Sequence, residues 1–370
     1  MKFRVERDQL ADGVSWAARA LPTRPPIPTL AGLRLESAGD DLVISGFDME
    51  SSSSAGIAAD VEEPGVMLVS GRLLADISRS LPNHPVTVCT DGQRAELRCG
   101  RSTFLLPLLP VEDYPTLPTM PDPIGTVAGS VFAAAVSSVA VAAGRDDTLP
   151  MLQGIRLEFE GDRLAMAATD RYRLAVRELR WDPTSTSHSG AALVPARVLA
   201  DTAKQLSGAG EVAIAQATGA GDGLIGFEGD GRRTTTRLLD GEFPKYRQLF
   251  PDSSVASARV DAAALSDAVK RVSLVAERNS SVRLHFRADQ VDLHAGSGDD
   301  ANADETVEST LTGDDIEISF NPQYLLDGIG AVGSTVVEFS FTGSTKPAVL
   351  SPPTKPGPVD YRYLLMPVRI

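Results

Sequence analysis

The sequence predicts an α+β protein built from three copies of one module, each with two helices packed on antiparallel sheets. Three observations predict this. A strand-and-helix start occurs three times, a second helix recurs at the same interval, and the strand runs alternate apolar and polar residues.

The first repeated feature is a strand-like run leading into an amphipathic helix. It occurs at Phe3–Leu21 (FRVERDQLADGVSWAARAL), Ala128–Ala143 (AGSVFAAAVSSVAVAA) and Ala258–Ala276 (ARVDAAALSDAVKRVSLVA). A short alternating strand follows each, beginning at Gly32, Gly154 and Ser281, which are 122 and 127 residues apart. The second helix starts at Ser70, Pro195 and Asn321, at intervals of 125 and 126. Each of these has a polar or proline start before an apolar stripe, with an aspartate at one shared offset: Asp76, Asp201 and Asp327. The next strands begin at Val86, Val212 and Val336. Three unrelated α+β domains would have no reason to share these intervals.

Runs such as Leu42–Phe47 and Glu317–Phe320 alternate in the manner of sheets with one buried face. Turn signals separate the strands at Gly39-Asp40-Asp41, Thr90-Asp91-Gly92, Gly161-Asp162 and Gly229-Asp230-Gly231. Pro115–Gly125 and Phe250–Val255 read as linkers, and Ser344–Pro358 as a long exposed loop. The expected domains are 1–122, 123–251 and 252–370.

Composition is that of a folded chain, with 42% hydrophobic and 23% charged residues among 370. No apolar run reaches the roughly 18 residues of a membrane span, and the charged start lacks a secretory pattern. The expected location is the cytoplasm. Two cysteines, Cys89 and Cys99, make neither a disulfide framework nor a zinc site and read as free thiols in strands.

Catalytic constellations are absent from the sequence pattern. There is no Walker A motif, no dinucleotide-binding glycine pattern after a strand and no HExxH. His84, His188, His285 and His294 are scattered, although His285 and His294 fall in one expected hairpin. Asp146-Asp147 and Asp299-Asp300 read as solvated loops, Gly219–Gly231 as a loop without a phosphate-binding lysine, and Ser51–Ser54 as lacking a nucleophile elbow. The expectation is a non-catalytic surface-binding scaffold with no cofactor, no metal and no catalytic residue. An enzyme would need a cluster of ionisable groups with strongly shifted pKa values. Three similar modules in series also suit part of a ring, closed by head-to-tail self-association.

A resemblance gives that scaffold a task. Arg24-Pro25-Pro26-Ile27-Pro28, Leu152-Gln153-Gly154, the block Ala168–Val176 (ATDRYRLAV), Phe243-Pro244-Lys245-Tyr246, Val282-Arg283-Leu284, Phe320-Asn321 with Tyr324, and the terminal Tyr363–Ile370 (YLLMPVRI) span nearly the whole chain. Together they resemble the bacterial sliding clamp, the beta subunit of DNA polymerase III. The resemblance implies a homodimer forming a six-domain ring, with helices lining the hole and sheets outside. Such a ring encircles duplex DNA without reading its sequence. It tethers the polymerase, clamp loader and repair proteins through short peptides, while nucleotidyl transfer resides in the partner polymerase.

A net charge of −14 is at odds with ordinary DNA binding. Enclosure removes the conflict, because a topological ring needs little attraction and tight phosphate contacts would impede sliding. The helices and their ends carry Arg7, Arg19, Arg72, Arg79, Arg145, Arg197, Lys204, Lys270 and Arg271 against Asp8, Asp12, Asp76, Asp201, Asp261, Asp267 and Asp327. That is a net of +2, so the acid lies mainly elsewhere.

The family's DNA contacts carry over to Arg24, Arg72 and Arg145, with Arg197 and Lys204 as further helix positions; the competing reading is surface arginines in local ion pairs. Pro150 and Met151 stand where some relatives place aromatic DNA contacts. The family's peptide cleft carries over to Leu152, Thr169, Arg171, Tyr172, Arg173, Leu174, Pro244, Gln248, Leu249, Asn321, Tyr324, Ala348, Leu364, Met366, Pro367, Val368 and Arg369. The apolar members suit leucine or phenylalanine anchors, and Arg173 and Arg369 supply donors at the rim. Without the family, Leu174, Leu249 and Leu364 read as ordinary core. Arg171-Tyr172 and Gln248 depart from the family pattern. The dimer seam carries over to Phe104, Leu106 and Leu109 on one side and Ser273 and Leu274 on the other, with burial inside the first module as the competing reading. A specialised duplicate clamp resisting a cleft-binding natural product, or a non-replicative scaffold of this fold, is the alternative the sequence does not separate.

Overall fold

A computed structural model describes residues 1–39, 41–217, 223–275, 281–296, 301–353 and 360–368. Asp40, Gly219, Ala276, Asp299-Asp300, Arg369, Ile370 and the later part of Ser344–Pro358 lie outside them.

Among the described residues there are six α-helices, two per third of the chain. They are α1 (Arg7–Ala17), α2 (Gly71–Ser80), α3 (Gly129–Ala140), α4 (Ala196–Gln205), α5 (Ala262–Val272) and α6 (Pro322–Val332). Each third runs strand, helix, several strands, helix, three strands. The second helices begin where the repeat places them, at the residues after Ser70, Pro195 and Asn321. Asn321 caps α6 by accepting the Tyr324 N–H at 3.1 Å, and Asp261 caps α5 from Ala264 at 2.8 Å.

The chain divides into two compact units that do not follow the order of the repeats. One comprises 1–129 with 208–238, the other 130–207 with 239–370. The middle third contributes to both.

In the first unit, a five-stranded antiparallel sheet has the order Asp60–Glu63, Lys2–Val5, Val86–Asp91, Arg94–Cys99, Ser102–Pro107. A second sheet runs Pro123–Ala128, Glu211–Gln216, Leu224–Gly229, Arg232–Arg237, Ser51–Ala58, Asp41–Phe47, Gly32–Ala38, Val66–Ser70. α1 packs on α2. Phe3, Leu10, Val14, Leu33, Ile44, Leu74, Val88, Leu97 and Leu106 share one core. Ser51–Ser53, far from any nucleophile geometry, form a buried hydroxyl ladder against Thr236, Thr235 and Thr234 at 2.9, 2.7 and 3.4 Å. It joins a strand of the first third to the last strand of the second.

The second unit holds a twelve-stranded sheet in the order Ser189–Pro195, Gly154–Glu160, Arg163–Thr169, Arg173–Arg180, Asp360–Leu365, Ala348–Ser351, Val336–Phe341, Ala256–Asp261, Ala303–Thr312, Gln290–Ala295, Val282–Phe286, Ile316–Phe320. Here Arg173–Arg180, from the middle third, pairs with Asp360–Leu365, the last strand of the final third. α6 lies so close to Asp360–Leu365 that a Cβ at Gly328 would fall 2.5 Å from the Tyr363 ring. That position therefore needs glycine.

Several expectations are corrected. Ser344–Pro358 contains the buried strand Ala348–Ser351, because its small apolar residues complete the sheet between Val336–Phe341 and Asp360–Leu365. Gly219–Gly231 contains the strand Leu224–Gly229. The linker Pro115–Gly125 gives way to a strand at Pro123. As expected, Cys89 and Cys99 are free thiols in strands, here of one hairpin, opposite Glu96 and Val86 respectively.

Candidate functional site

Strand alternation sorts the expected cleft residues onto two faces of the second unit's sheet. Leu174 lies opposite Leu364 in the pairing of Arg173–Arg180 with Asp360–Leu365. Both are buried with Ala167, Val176 and Tyr246, and half-buried Phe243 and Phe250 pack against them. Their buried state matches the core reading, and Ala348 is buried as well. Pro244, Gln248 and Leu249 belong to the segment crossing this face; Leu249 is 53% exposed.

The opposite face carries Arg173, expected as a rim donor. The structure corrects that expectation. Arg173 is buried, and its guanidinium is taken up by two carboxylates: Nε donates to Asp170 at 2.8 Å and an η nitrogen to Asp327 at 2.5 Å. The Tyr324 ring lies 4.3 Å from the guanidinium carbon. Burial opposes this charge, but Tyr363, Asp327 and Asp170 outweigh it and push the pKa up. Tyr363 donates its hydroxyl to the Tyr324 carbonyl at 2.9 Å, tying α6 to the strand.

The loop 170–172 connects the strand Arg163–Thr169 to Arg173–Arg180. Asp170 accepts the Tyr172 and Arg173 N–H groups at 3.0 and 3.1 Å, and the Thr169 hydroxyl donates to the Arg173 carbonyl at 2.7 Å. The loop forces Arg171 to φ +81°, in the left-handed region. Tyr172, 54% exposed, stacks on Tyr324 with centroids 6.3 Å apart. Met366 donates its N–H to the Tyr172 carbonyl at 2.9 Å, and Val368 donates to the Ser319 carbonyl at 2.8 Å. The chain end thus runs beside the loop and leaves Met366 and Val368 exposed.

A cavity of about 660 Å³ gathers Leu152, Arg171, Tyr172, Arg173 and Tyr324 with Arg145, Asp170, Gln323 and Asp327. Asp170 and Asp327 are participants the sequence reading did not assign. The repeated aspartate offset marked Asp327 without revealing its partner. Asn321 stands next to this cavity as the α6 cap. Arg171 at positive φ predicts that Arg171→Gly raises stability, because relieved strain of about 1–2 kcal/mol exceeds the added freedom of the unfolded chain, about 0.5–1 kcal/mol. A higher urea midpoint with unchanged slope is the expected reading.

The expected DNA contacts are all exposed: Arg24 and Arg72 in the first unit, Arg145, Arg197 and Lys204 in the second. Arg72 donates to the Thr23 carbonyl at 3.2 Å, which brings it beside Arg24. Arg197, Asp201 and Lys204 share one exposed side of α4. Among the described residues none of these five cations is in a salt bridge, whereas Arg7, Arg79, Lys270 and Arg271 pair with Asp8, Asp76, Asp267 and Glu305. Arg19, exposed and without a salt bridge, joins the unpaired set. Among the described residues the local ion-pair reading therefore applies to Arg7, Arg79, Lys270 and Arg271, and not to Arg19 or the five chosen.

On the expected seam, Leu106 is fully buried in its own unit and Leu109 packs in a neighbouring cluster. This corrects the reading of Leu106 as an interface side chain: strand alternation turns Leu106 inward and Leu105, 59% exposed, outward, while Leu109 is half-buried. Phe104 is half-buried, Ser273 half-buried, and Leu274 84% exposed.

The N-terminal domain of the DNA polymerase III beta subunit matches residues 1–118, its central domain 126–245 and its C-terminal domain 247–369. The chain is 57% identical to a beta sliding clamp of Streptomyces coelicolor, with both chains covered in full. It is 44% identical to a beta sliding clamp homolog, GriR, of Streptomyces muensis, covering 100% of this chain and 99% of that one. A Pseudomonas aeruginosa sliding clamp solved bound to griselimycin superposes with a TM-score of 0.93 at 28% identity, both chains fully covered.

Proposed function

We infer the molecular task from the family: the chain belongs to the bacterial DNA polymerase III beta subunits, the sliding clamps, and acts as a DNA sliding clamp. It is the non-catalytic processivity subunit, and nucleotidyl transfer lies with the partner polymerase. Higher identity to the general clamp than to GriR favours this over a specialised duplicate.

We propose further that it works as a cytoplasmic homodimeric ring of three modules per chain, bounded at 1–122, 123–251 and 252–370. Among the described residues no helix is long and apolar enough to cross a membrane. One observation carries the ring. The last strand of the second module, Arg232–Arg237, pairs with Ser51–Ala58 of the first; the last strand of the third, Asp360–Leu365, pairs with the equivalent Arg173–Arg180 of the second. The third module's equivalent is Ala303–Thr312. Residues 303–308 pair with Gln290–Ala295 on one edge, while 309–312 alone meet Ala256–Asp261 on the other. The first module's last strand, Ser102–Pro107, ends its sheet. A second copy would supply the missing pairing, edge to edge, and two such seams close the ring. Exposed Leu274 and Leu105 and half-buried Phe104 and Ser273 supply its side chains; Leu106 and Leu109 back it from within.

Duplex DNA threads the ring, with Arg24, Arg72, Arg145, Arg197 and Lys204 making loose phosphate contacts. Polymerase, clamp loader and repair proteins dock short peptides at the cleft around Leu152, Tyr172, Leu249, Tyr324, Met366, Pro367 and Val368. Leu174 and Leu364 form the floor on the Leu249 side, across the sheet from the Tyr324 cavity, and Met366 an adaptable wall. Met366→Ala is expected to weaken a synthetic peptide carrying leucine and phenylalanine anchors about tenfold, the scale of a buried anchor contact. Calorimetric titration with unchanged affinity would remove the cleft assignment.

A further inference from the structure

We propose that Glu158 is a positioning residue for the peptide cleft, acting through the Tyr246–Leu249 turn; this rests on the cleft reading above. Glu158 lies in the strand Gly154–Glu160, fixed between Ala165 and Ala191 on its neighbours. One of its carboxylate oxygens accepts both the Tyr246 hydroxyl at 2.8 Å and the Arg247 guanidinium at 2.9 Å. Arg247 reaches Glu178 on a third strand at 3.3 Å. The two residues that follow, Gln248 and Leu249, are exposed and, among the described residues, have no carboxylate partner of this kind.

Phe243 and Phe250 pack on the core at either end of the turn, and within it the polar hold on the sheet comes from Tyr246 and Arg247 through Glu158. Tyr246 is buried on Leu174 and Leu364, so its hydroxyl depends on Glu158 for a partner. An unmet buried hydroxyl is costly, and its bond to a carboxylate is of the stronger kind. Burial works to raise the Glu158 carboxyl, but Tyr246 and Arg247 outweigh it and hold it below the ordinary glutamate range. The Arg247 pairs alone would be weak, since that side chain is 55% exposed. The hydroxyl bond is what sets the height of the turn. A fixed turn presents Leu249 as a preorganised wall, and an incoming peptide need not order it.

The test uses the full-length chain and a short fluorescein-labelled peptide with one leucine and one phenylalanine anchor. Glu158→Ala and Tyr246→Phe are each expected to weaken binding about five- to tenfold. The double variant should be no weaker than either single one, because both break one bond. Glu158→Gln keeps an acceptor for Tyr246 and should restore most of the affinity, which a loss by general unfolding would not do. Wild-type affinity in Glu158→Ala, with Leu249→Ala binding weakly, overturns the positioning role and leaves the cleft standing. Unchanged affinity in Leu249→Ala overturns the cleft wall and the proposal with it. Additive losses in the double variant also overturn it.

Discussion

Leu274→Asp is expected to convert the proposed dimer to a monomer at micromolar concentration and to abolish retention on DNA. Leu274 follows α5 in a short helical turn and is 84% exposed. The proposed seam covers this bare leucine with the edge of a second copy. Fully burying a leucine contributes about 1.5–3 kcal/mol, and an uncompensated carboxylate at the same place adds a desolvation cost. Both seams of a symmetric ring carry the change, so each loses its anchor. Leu105→Asp, on the outward face of Ser102–Pro107, should act in the same direction, whereas Leu106→Ala should lower stability by about 2–5 kcal/mol by opening a core cavity. Analytical ultracentrifugation separates these: a dimeric Leu274→Asp would count against the seam.

Arg173→Ala is expected to destabilise the second unit and to disrupt the cavity beside Tyr324. Arg173 is the one cation shared by Asp170, which shapes the loop 170–172, and Asp327, on α6. Its loss leaves two carboxylates with, among the described residues, Gln323 and local backbone donors as their remaining partners. Breaking a buried pair in this way costs about 3–5 kcal/mol; about 2–4 is expected here, since the Asp327 side chain keeps 26% of its area in solvent. The Tyr172–Tyr324 stack should loosen with it, and peptide affinity fall by at least tenfold. Arg173→Lys should lie between, because one ammonium does not reproduce the fork that spans both carboxylates. Thermal unfolding unchanged in Arg173→Ala would contradict this account of the network.

How much of this was legible in the sequence depends on the range of each interaction. The repeat near 125 residues was legible because helix starts, apolar stripes and turn residues are local signals. Ser70, Pro195 and Asn321 mark helix starts without help from the rest of the chain. Pairings across the chain were not legible. The hydroxyl ladder joins residues 181 to 185 positions apart, and Arg173 meets Asp327 across 154. A rim arginine and a buried, doubly paired arginine look alike in sequence.

Strand facing failed for a different reason. Phe104-Leu105-Leu106-Pro107-Leu108-Leu109 is apolar at every position, so alternation carries no signal there. Only the core that receives Leu106 decides which way it turns. The cationic positions were read from the resemblance, but their freedom from ion pairs rests on side-chain placement. Nor did chain order reveal that the middle module would divide between two compact units, since that follows from edge pairing rather than from local pattern.

The central claim is capture of duplex DNA by enclosure, and retention after loading tests it most directly. Loaded onto nicked circular DNA and freed of excess protein, the chain should remain bound through gel filtration at high salt. Cutting the circle once should release it. Prompt loss from the intact circle in high salt, or equal retention after cutting, would mean attachment by contact and contradict the account.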